Sequence, residues 1–255
     1  MTDSTVHLEV ANRIAVVTID RPPVNALSKQ ALQDLTDTMW EVSDRVEDVS
    51  VAILTGAGRT FCAGRDLKEA INDPHEKRNR MVRNAFTSVM HCQVPIIAAI
   101  NGPAIGGGAS VALYCDMLLA SKNAYIRLPE INHGLAGGFV ALRRGMNQYQ
   151  ARKLYLFGEP MYAEEAHRIG MIEAVVESDE LMPLAMQYAT KLAEKPAAAL
   201  RAAKWSSKEV EKIPDMEQAY RAIQSRTSAG LVTSKDHAEA VKAFSEKREP
   251  VFNQD

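Results

Sequence analysis

The chain begins by alternating. Residues 7–20 alternate apolar and polar positions and end in AVVTI before Arg21-Pro22-Pro23, which predicts a pair of strands closed by a turn. From Ser28, apolar residues recur at spacings of three and four (Leu32, Leu35, Met39, Val42, Val46), the mark of an amphipathic helix. Residues 50–55 (SVAILT) read as a buried strand running into Gly56-Ala57-Gly58. Residues 71–83 are charge-rich and read as a mobile stretch merging into a helix that buries Met81, Val82, Phe86, Val89 and Met90. Five apolar residues in six positions at 95–100 predict another buried strand, followed by turn chemistry at Asn101-Gly102-Pro103. Gly106-Gly107-Gly108 then opens a short apolar helix that ends at Cys115-Asp116. Residues 116–121 and 125–128 read as further strands.

Strands alternating with helices argue for an α/β class. After Gly138 the pattern changes: residues 141–157, 163–169 and 181–192 read as helices, with a strand only at 171–176. From Pro196 onward everything is helical, over 197–212, 216–228 and 234–247. The expected organisation is an α/β core over 1–195 and a helical oligomerisation region over 196–255.

Composition narrows the function classes. A net charge of −2 leaves no basic excess to drive binding to nucleic acid or a membrane surface, so an anionic ligand needs a local cluster. Cys62, Cys92 and Cys115 form no CxxC, which argues against a disulfide framework or a metal site and for a reducing cytoplasm. No apolar run is long enough to span a membrane, and the polar first residues do not read as a leader.

Two stretches share one logic: SVAILTGAGRTFCAGRDLKEA (50–70) and PIIAAINGPAIGGGASVALY (95–114) each run strand, glycine loop, helix start. If both strands lie in one sheet, both loops emerge at their carboxyl ends, where ligands bind in α/β folds. Glycine lets a ligand approach the backbone, and the first N–H groups of a helix have no intrahelical acceptor. Such a place holds an anion or an oxyanion. Neither loop is a GxGxxG or a P-loop, which argues against dinucleotide binding or nucleotide hydrolysis of those types. Asp66 is placed to cap the helix after the first loop.

AGRDLKE (63–69), INGPAIGGGASVALYCD (100–116), LPEI (128–131) and AFSEKREPVF (243–252) stand in an order and spacing that resembles the crotonase (enoyl-CoA hydratase/isomerase) superfamily. The resemblance runs from RPPVNAL at 21–27 to the last helix. It implies a spiral of ββα units, a helical trimerisation region in a homotrimer or a dimer of trimers, and coenzyme A thioesters as substrates with no permanently bound cofactor. It further implies an oxyanion hole made by the main-chain N–H groups of Arg65 and Gly107, which would stabilise an enolate formed from the thioester.

The carboxylates decide the branch. A family hydratase carries two facing glutamates; the one in the PE motif matches Glu130, and the other falls on Ser110. One carboxylate over an oxyanion hole suffices to move a proton between carbons, so the pattern leans towards an isomerase. The loop after PE is shorter than the family pattern and brings Asn132 and His133 towards the acyl pocket, where an imidazole could stand in for the missing acid. Ser110 has two readings, a small residue leaving room for the acyl chain, or a nucleophile paired with His133 in a thioester hydrolase. A non-catalytic coenzyme A-binding paralogue is the third reading.

By the same resemblance Val24 and Ala26 line the adenine and pantetheine channel, and residues 63–68 (Ala63, Arg65, Asp66, Leu67, Lys68) run along the cofactor. Phe244 and Lys247 would meet the adenine and its 3′-phosphate, with a neighbouring subunit as one source of the helix that carries them. Arg65 is long and cationic where the family often has a small or apolar residue.

Overall fold

The computed structural model describes residues 4–70 and 75–252. Strands β1 (Val6–Ala11) and β2 (Ile14–Ile19) form the expected pair, and it is antiparallel. Helix α1 (Lys29–Asp44) follows Ser28, whose side chain accepts the Ala31 N–H as an N-cap; Val46 falls just beyond the helix. β3 (Val51–Gly56), α2 (Leu67–Ala70) and α3 (His75–His91) come next. Residues 75–83, expected to be mobile, lie in α3, because Arg, Lys and Glu are good helix formers and Arg80 and Arg83 face solvent while Met81 and Val82 pack inward. The first part of that stretch, residues 71–74, lies outside the described residues.

β4 (Ile96–Ile100), a two-residue β5 (Ala104–Ile105), α4 (Gly107–Tyr114), β6 (Met117–Ser121) and β7 (Tyr125–Arg127) lead to a 3-10 turn over Pro129–His133. The single helix expected over 141–157 is two, α5 (Phe139–Gly145) and α6 (Gln148–Phe157). Met146 is extended, and the Asn147 side chain caps α6 by accepting the N–H groups of Tyr149 and Gln150. β8 (Met161–Tyr162), α7 (Ala163–Arg168), β9 (Ala174–Val176) and α8 (Leu181–Ala193) complete this part of the chain. The tail holds α9 (Ala197–Val210), α10 (Met216–Ala219), α11 (Ser225–Leu231) and α12 (Lys235–Glu246), with a π turn over Tyr220–Gln224 joining α10 to α11.

The main sheet has the order β1-β2-β3-β4-β6-β9, parallel from β2 onward. Alternate residues of β3 serve opposite faces: Ala52 and Leu54 join the large core with α1 and α3, whereas Val51 and Ile53 pack with Leu181, Ala185 and Ala189 of α8. Burial on both faces explains why β3 and β4 are continuous apolar runs. A second sheet, β5-β7-β8, sits at the carboxyl end of β4. Its strands of two and three residues are too short for a periodic signal in the sequence. Among the described residues no helix is long and apolar enough to cross a membrane.

Candidate active site

β3 and β4 are parallel neighbours, with Ala52 opposite Ile96 and Thr55 opposite Ala99, so both glycine loops leave the same edge of the sheet. Beyond the strands the loops stay joined. Cys62 N–H donates to Pro103 O at 3.2 Å, and Ile105 N–H donates to Cys62 O at 2.9 Å. A Cβ on Gly108 would fall 2.3 Å from Cys62 O, so only glycine lets α4 start this close to the first loop. Gly64, at φ +83, lets the chain turn where a Cβ would fall 2.5 Å from Ile105 O and 3.3 Å from Gly107 N. Positions 65 and 107 are thereby neighbours: a Cβ on Gly107 would lie 3.8 Å from Cγ of Arg65, 3.5 Å from Leu27 Cδ1 and 3.7 Å from Phe86 Cζ.

Residues 24–27 form the next wall. Ala63 N–H donates to Val24 O, Leu27 N–H to Gly64 O and Asp66 N–H to Leu27 O, at 3.0, 2.7 and 3.1 Å. Two residues missed by sequence reasoning hold this wall. Asn25, buried and at φ +54, donates through Nδ2 to Ala57 O and Thr60 O, and its Oδ1 accepts the Arg21 N–H. Arg21 bonds Asp66 Oδ2 at 2.8 Å, while Asp66 Oδ1 accepts the Lys68 and Glu69 N–H groups as the cap of α2. Burial works against the Asp66 carboxylate, but Arg21 and these N–H groups outweigh it and hold its pKa below the ordinary value. Asp66 is thus a positioning residue, while Val24, Leu67 and Lys68 are exposed at the rim and Ala26 and Ala63 are half-buried between.

Glu130 arrives through the second sheet. β7 pairs in parallel with β5, and Gly106 N–H donates to Arg127 O at 2.8 Å, which turns the chain into the Pro129–His133 segment directly over the start of α4. A Cβ on Gly106 would fall 2.9 Å from Glu130 Oε1. The other oxygen, Oε2, is buried with no hydrogen-bond partner among the described residues. Burial pushes the Glu130 pKa up from its ordinary value, against weaker opposing pulls from its own N–H and the charges of Arg65 and His133. A desolvated carboxyl of this kind is suited to taking and returning a proton.

Ser110 is buried one turn into α4, where its N–H donates to Gly106 O at 3.0 Å. A helical side chain leans back over the preceding turn, so Ser110 shares the face of α4 that meets Glu130. No hydrogen bond joins Ser110 to His133 among the described residues, and His133 and Asn132 are exposed, with Asn132 Nδ2 turned towards Gly158. Cys62 is no nucleophile here, since burial raises its thiol to about 12. Phe244 and Lys247, at the exposed end of α12, make no hydrogen bond, ion pair or ring contact with this site among the described residues. No group of three or more metal-ligating side chains occurs among the described residues.

A profile described as enoyl-CoA hydratase/isomerase matches residues 9–255. The chain is 38% identical to an (E)-benzylidenesuccinyl-CoA hydratase of Thauera aromatica, over 97% of this chain and 98% of that one. It is 34% identical to a 2,3-dehydroadipyl-CoA hydratase of Escherichia coli K12, over 94% and 95%. The crystal structure of an enoyl-CoA hydratase from Bacillus anthracis, 30% identical, superposes with a TM-score of 0.92 over 98% of this chain and 100% of that one. With its parallel sheet and glycine-loop pair, the chain belongs to the enoyl-CoA hydratase/isomerase family of the crotonase superfamily.

Proposed function

We propose that this chain binds an acyl-CoA thioester and moves a proton at the carbon beside its carbonyl, with Glu130 as the acid–base group. The observation that carries this reading is a half-buried carboxylate with one oxygen, Oε1, resting against Gly106, one residue before Gly107, and the other, Oε2, buried and unpartnered among the described residues. The main-chain N–H groups of Arg65 and Gly107 take the thioester oxygen. As Glu130 removes the proton, the electron pair moves onto that oxygen, and donors fixed in place stabilise the enolate without reorganising. Glu130, now neutral, returns the proton to the same carbon or another. Its raised pKa narrows the gap to the carbon acid and keeps the proton available for return.

With Ser110 where a second carboxylate would stand, one acid serves both proton steps, which favours double-bond isomerisation. Hydration is the second reading, supported by the names of the two relatives, which carry a succinyl and an adipyl group. Ser110 serves as space for the acyl chain. The half-buried and rim residues Val24, Ala26, Ala63, Leu67 and Lys68 run along the coenzyme A moiety, and Asp66 holds their loop. Residues 196–255 act in trimer assembly, singly or as a dimer of trimers, and the exposed Phe244 and Lys247 meet the adenine of a neighbouring subunit's ligand.

The test is optical. Incubation with a 3-enoyl-CoA that raises the absorbance of the conjugated thioester indicates isomerisation, and loss of that absorbance from crotonyl-CoA indicates hydration. Activity with neither, or turnover undiminished in Glu130→Gln, overturns the proposal.

A further inference from the structure

Helix α9 turns a cationic stripe towards a cavity. Arg201, Lys204 and Lys208 stand with Trp205 at spacings of three and four, so one face of the helix carries them. Lys204 on that face is almost wholly buried, where an amphipathic helix ordinarily places apolar residues. Between this face, the end of α3 and Arg144 of α5 lies a cavity of about 660 Å³, in the size range of small-molecule sites. It shares no lining residue with the active site described above.

The charges around this cavity do not balance. Lys204 Nζ bonds Asp116 Oδ2 and Val94 O, each at 2.7 Å, and the same Oδ2 accepts the Ile96 N–H at 2.8 Å. Lys208 Nζ stands 4.0 Å from the remaining oxygen, Oδ1, beyond hydrogen-bond distance. Its hydrogen bond among the described residues goes to Met90 O, although an ammonium has three donors. Arg144 and Arg201 donate to main-chain carbonyls, Leu113 O and Tyr114 O for the first and Val46 O for the second, and neither pairs with a carboxylate among the described residues. Of the acids on the wall, Glu209 is paired with Lys212, and Glu211 is exposed, as is His91 at the end of α3. Burial, then the charges of Lys204 and Arg144, push the Lys208 ammonium down to about 8, against the pulls of Asp116 and Cys92. Apolar wall is supplied by Met90, Ala202 and the half-exposed indole of Trp205.

We infer that this cavity is a second ligand site, and that it takes a monocarboxylate with an apolar body, a medium-chain fatty acid, whose carboxylate meets Lys208 and whose chain lies along Met90, Ala202 and Trp205. A surplus of positive charge among low-dielectric walls favours an anion, and an ammonium with donors to spare gives it charge-assisted hydrogen bonds. Inorganic phosphate would meet the cations but leave the apolar wall wet, and a neutral apolar molecule would cover the wall but leave the cations uncompensated. The carboxylate also returns to Lys208 the proton that burial and its cationic neighbours remove, so binding is coupled to proton uptake above the folded pKa. None of this depends on the acyl-CoA reading, since the glycine loops and Glu130 take no part in it.

The test titrates the full chain carrying Trp40→Phe, which leaves Trp205 as its one indole, with sodium octanoate and with octanamide, following fluorescence and heat. The expected result is a saturable change in Trp205 emission with octanoate, at an affinity at least about tenfold above that of octanamide and about tenfold weaker in Lys208→Met. At about pH 9 octanoate binding should take up part of a proton, read from the dependence of the heat on the buffer's ionisation enthalpy, and Lys208→Met should abolish that uptake. Where circular dichroism shows that Lys208→Met has lost the fold, Lys208→Gln carries the same comparison. Absence of octanoate binding overturns the inference, as do equal affinities for acid and amide, or an octanoate affinity that the Lys208 variant leaves unchanged. Heat of binding without a change in Trp205 emission overturns it too, because the acid is then seated elsewhere, the acyl pocket included.

Discussion

Glu130 leans on Gly106: its Oε1 occupies the space where any side chain at that position would begin, 2.9 Å from an added Cβ. Gly106 also sits at φ +54 and ψ −117, outside the left-handed helical well, a conformation that costs an L-residue about 1–3 kcal/mol. Gly106→Ala therefore has two effects, a modest loss of stability and a displaced acid. Misplacing a catalytic group by about 1 Å lowers turnover on the order of a hundredfold. The expected outcome is a fall in kcat of that size with a Tm lowered by only a few degrees; an alanine variant with normal kcat would show that the contact does not position the acid.

The raised pKa of Glu130 makes a paired prediction. A carboxyl whose folded pKa lies above its unfolded value opposes folding once ionised, so the penalty is absent at low pH and develops as pH rises through the folded pKa. Replacing it with neutral glutamine relieves a buried charge. Glu130→Gln is expected to lower kcat by at least about a hundredfold and, at neutral pH, to raise Tm. That gain shrinks in acid. Thermal melts at several pH values decide it: a variant less stable than wild type at neutral pH contradicts the account of the carboxyl as strained by burial.

Much of this site was legible in the sequence because its parts are local. Two strands buried on both faces write continuous apolar runs, glycine clusters mark the loops after them, and Asp66 stands where a helix cap belongs. What brings Glu130 to Gly106 is not local. It depends on the pairing of Ala104 with Ile126 and Ile105 with Arg127, a ladder too short to leave a periodic trace. Asn25 was invisible for a similar reason, since an amide in a Pro-rich turn reads as turn chemistry until its acceptors at Ala57 and Thr60 are seen.

Ser110 offers a cleaner contrast. Ser110 stands on the face of α4 that meets Glu130, but among the described residues its hydroxyl makes no hydrogen bond to His133, the one base proposed for it. A serine without a base is a weak nucleophile. Ser110→Ala is expected to keep kcat within about threefold of wild type, whereas loss of a true nucleophile costs on the order of a millionfold. A dead alanine variant, with an acyl group found on wild-type Ser110 by intact-mass measurement, would convert the assignment to a thioester hydrolase.

The far end of β4 is held by charge, and its pH response can be signed in advance. Asp116 Oδ2 accepts the Ile96 N–H at 2.8 Å and pairs with Lys204 Nζ at 2.7 Å, while Lys208 Nζ stands 4.0 Å from Oδ1 and donates to Met90 O. Lys204, almost wholly buried, also donates to Val94 O at 2.7 Å. Removing the one carboxylate leaves two desolvated ammonium groups, so Asp116→Asn is expected to cost about 3–5 kcal/mol, read as a Tm lower by roughly 6–20 °C. Lys208 also lines a cavity of about 660 Å³. Burial, reinforced by Lys204, pushes its ammonium down from 10.5 to about 8 despite the pull of Asp116. Between those two values the unfolded chain binds the proton that the folded chain has lost, so stability from this group rises with pH across the window. The Tm of wild type minus that of Lys208→Met is therefore expected to increase from neutral pH towards about pH 10, other titrating groups cancelling in the difference. A flat or falling difference would mean that Lys208 keeps its ordinary proton affinity, and that the carboxylate of Asp116 compensates both lysines in full.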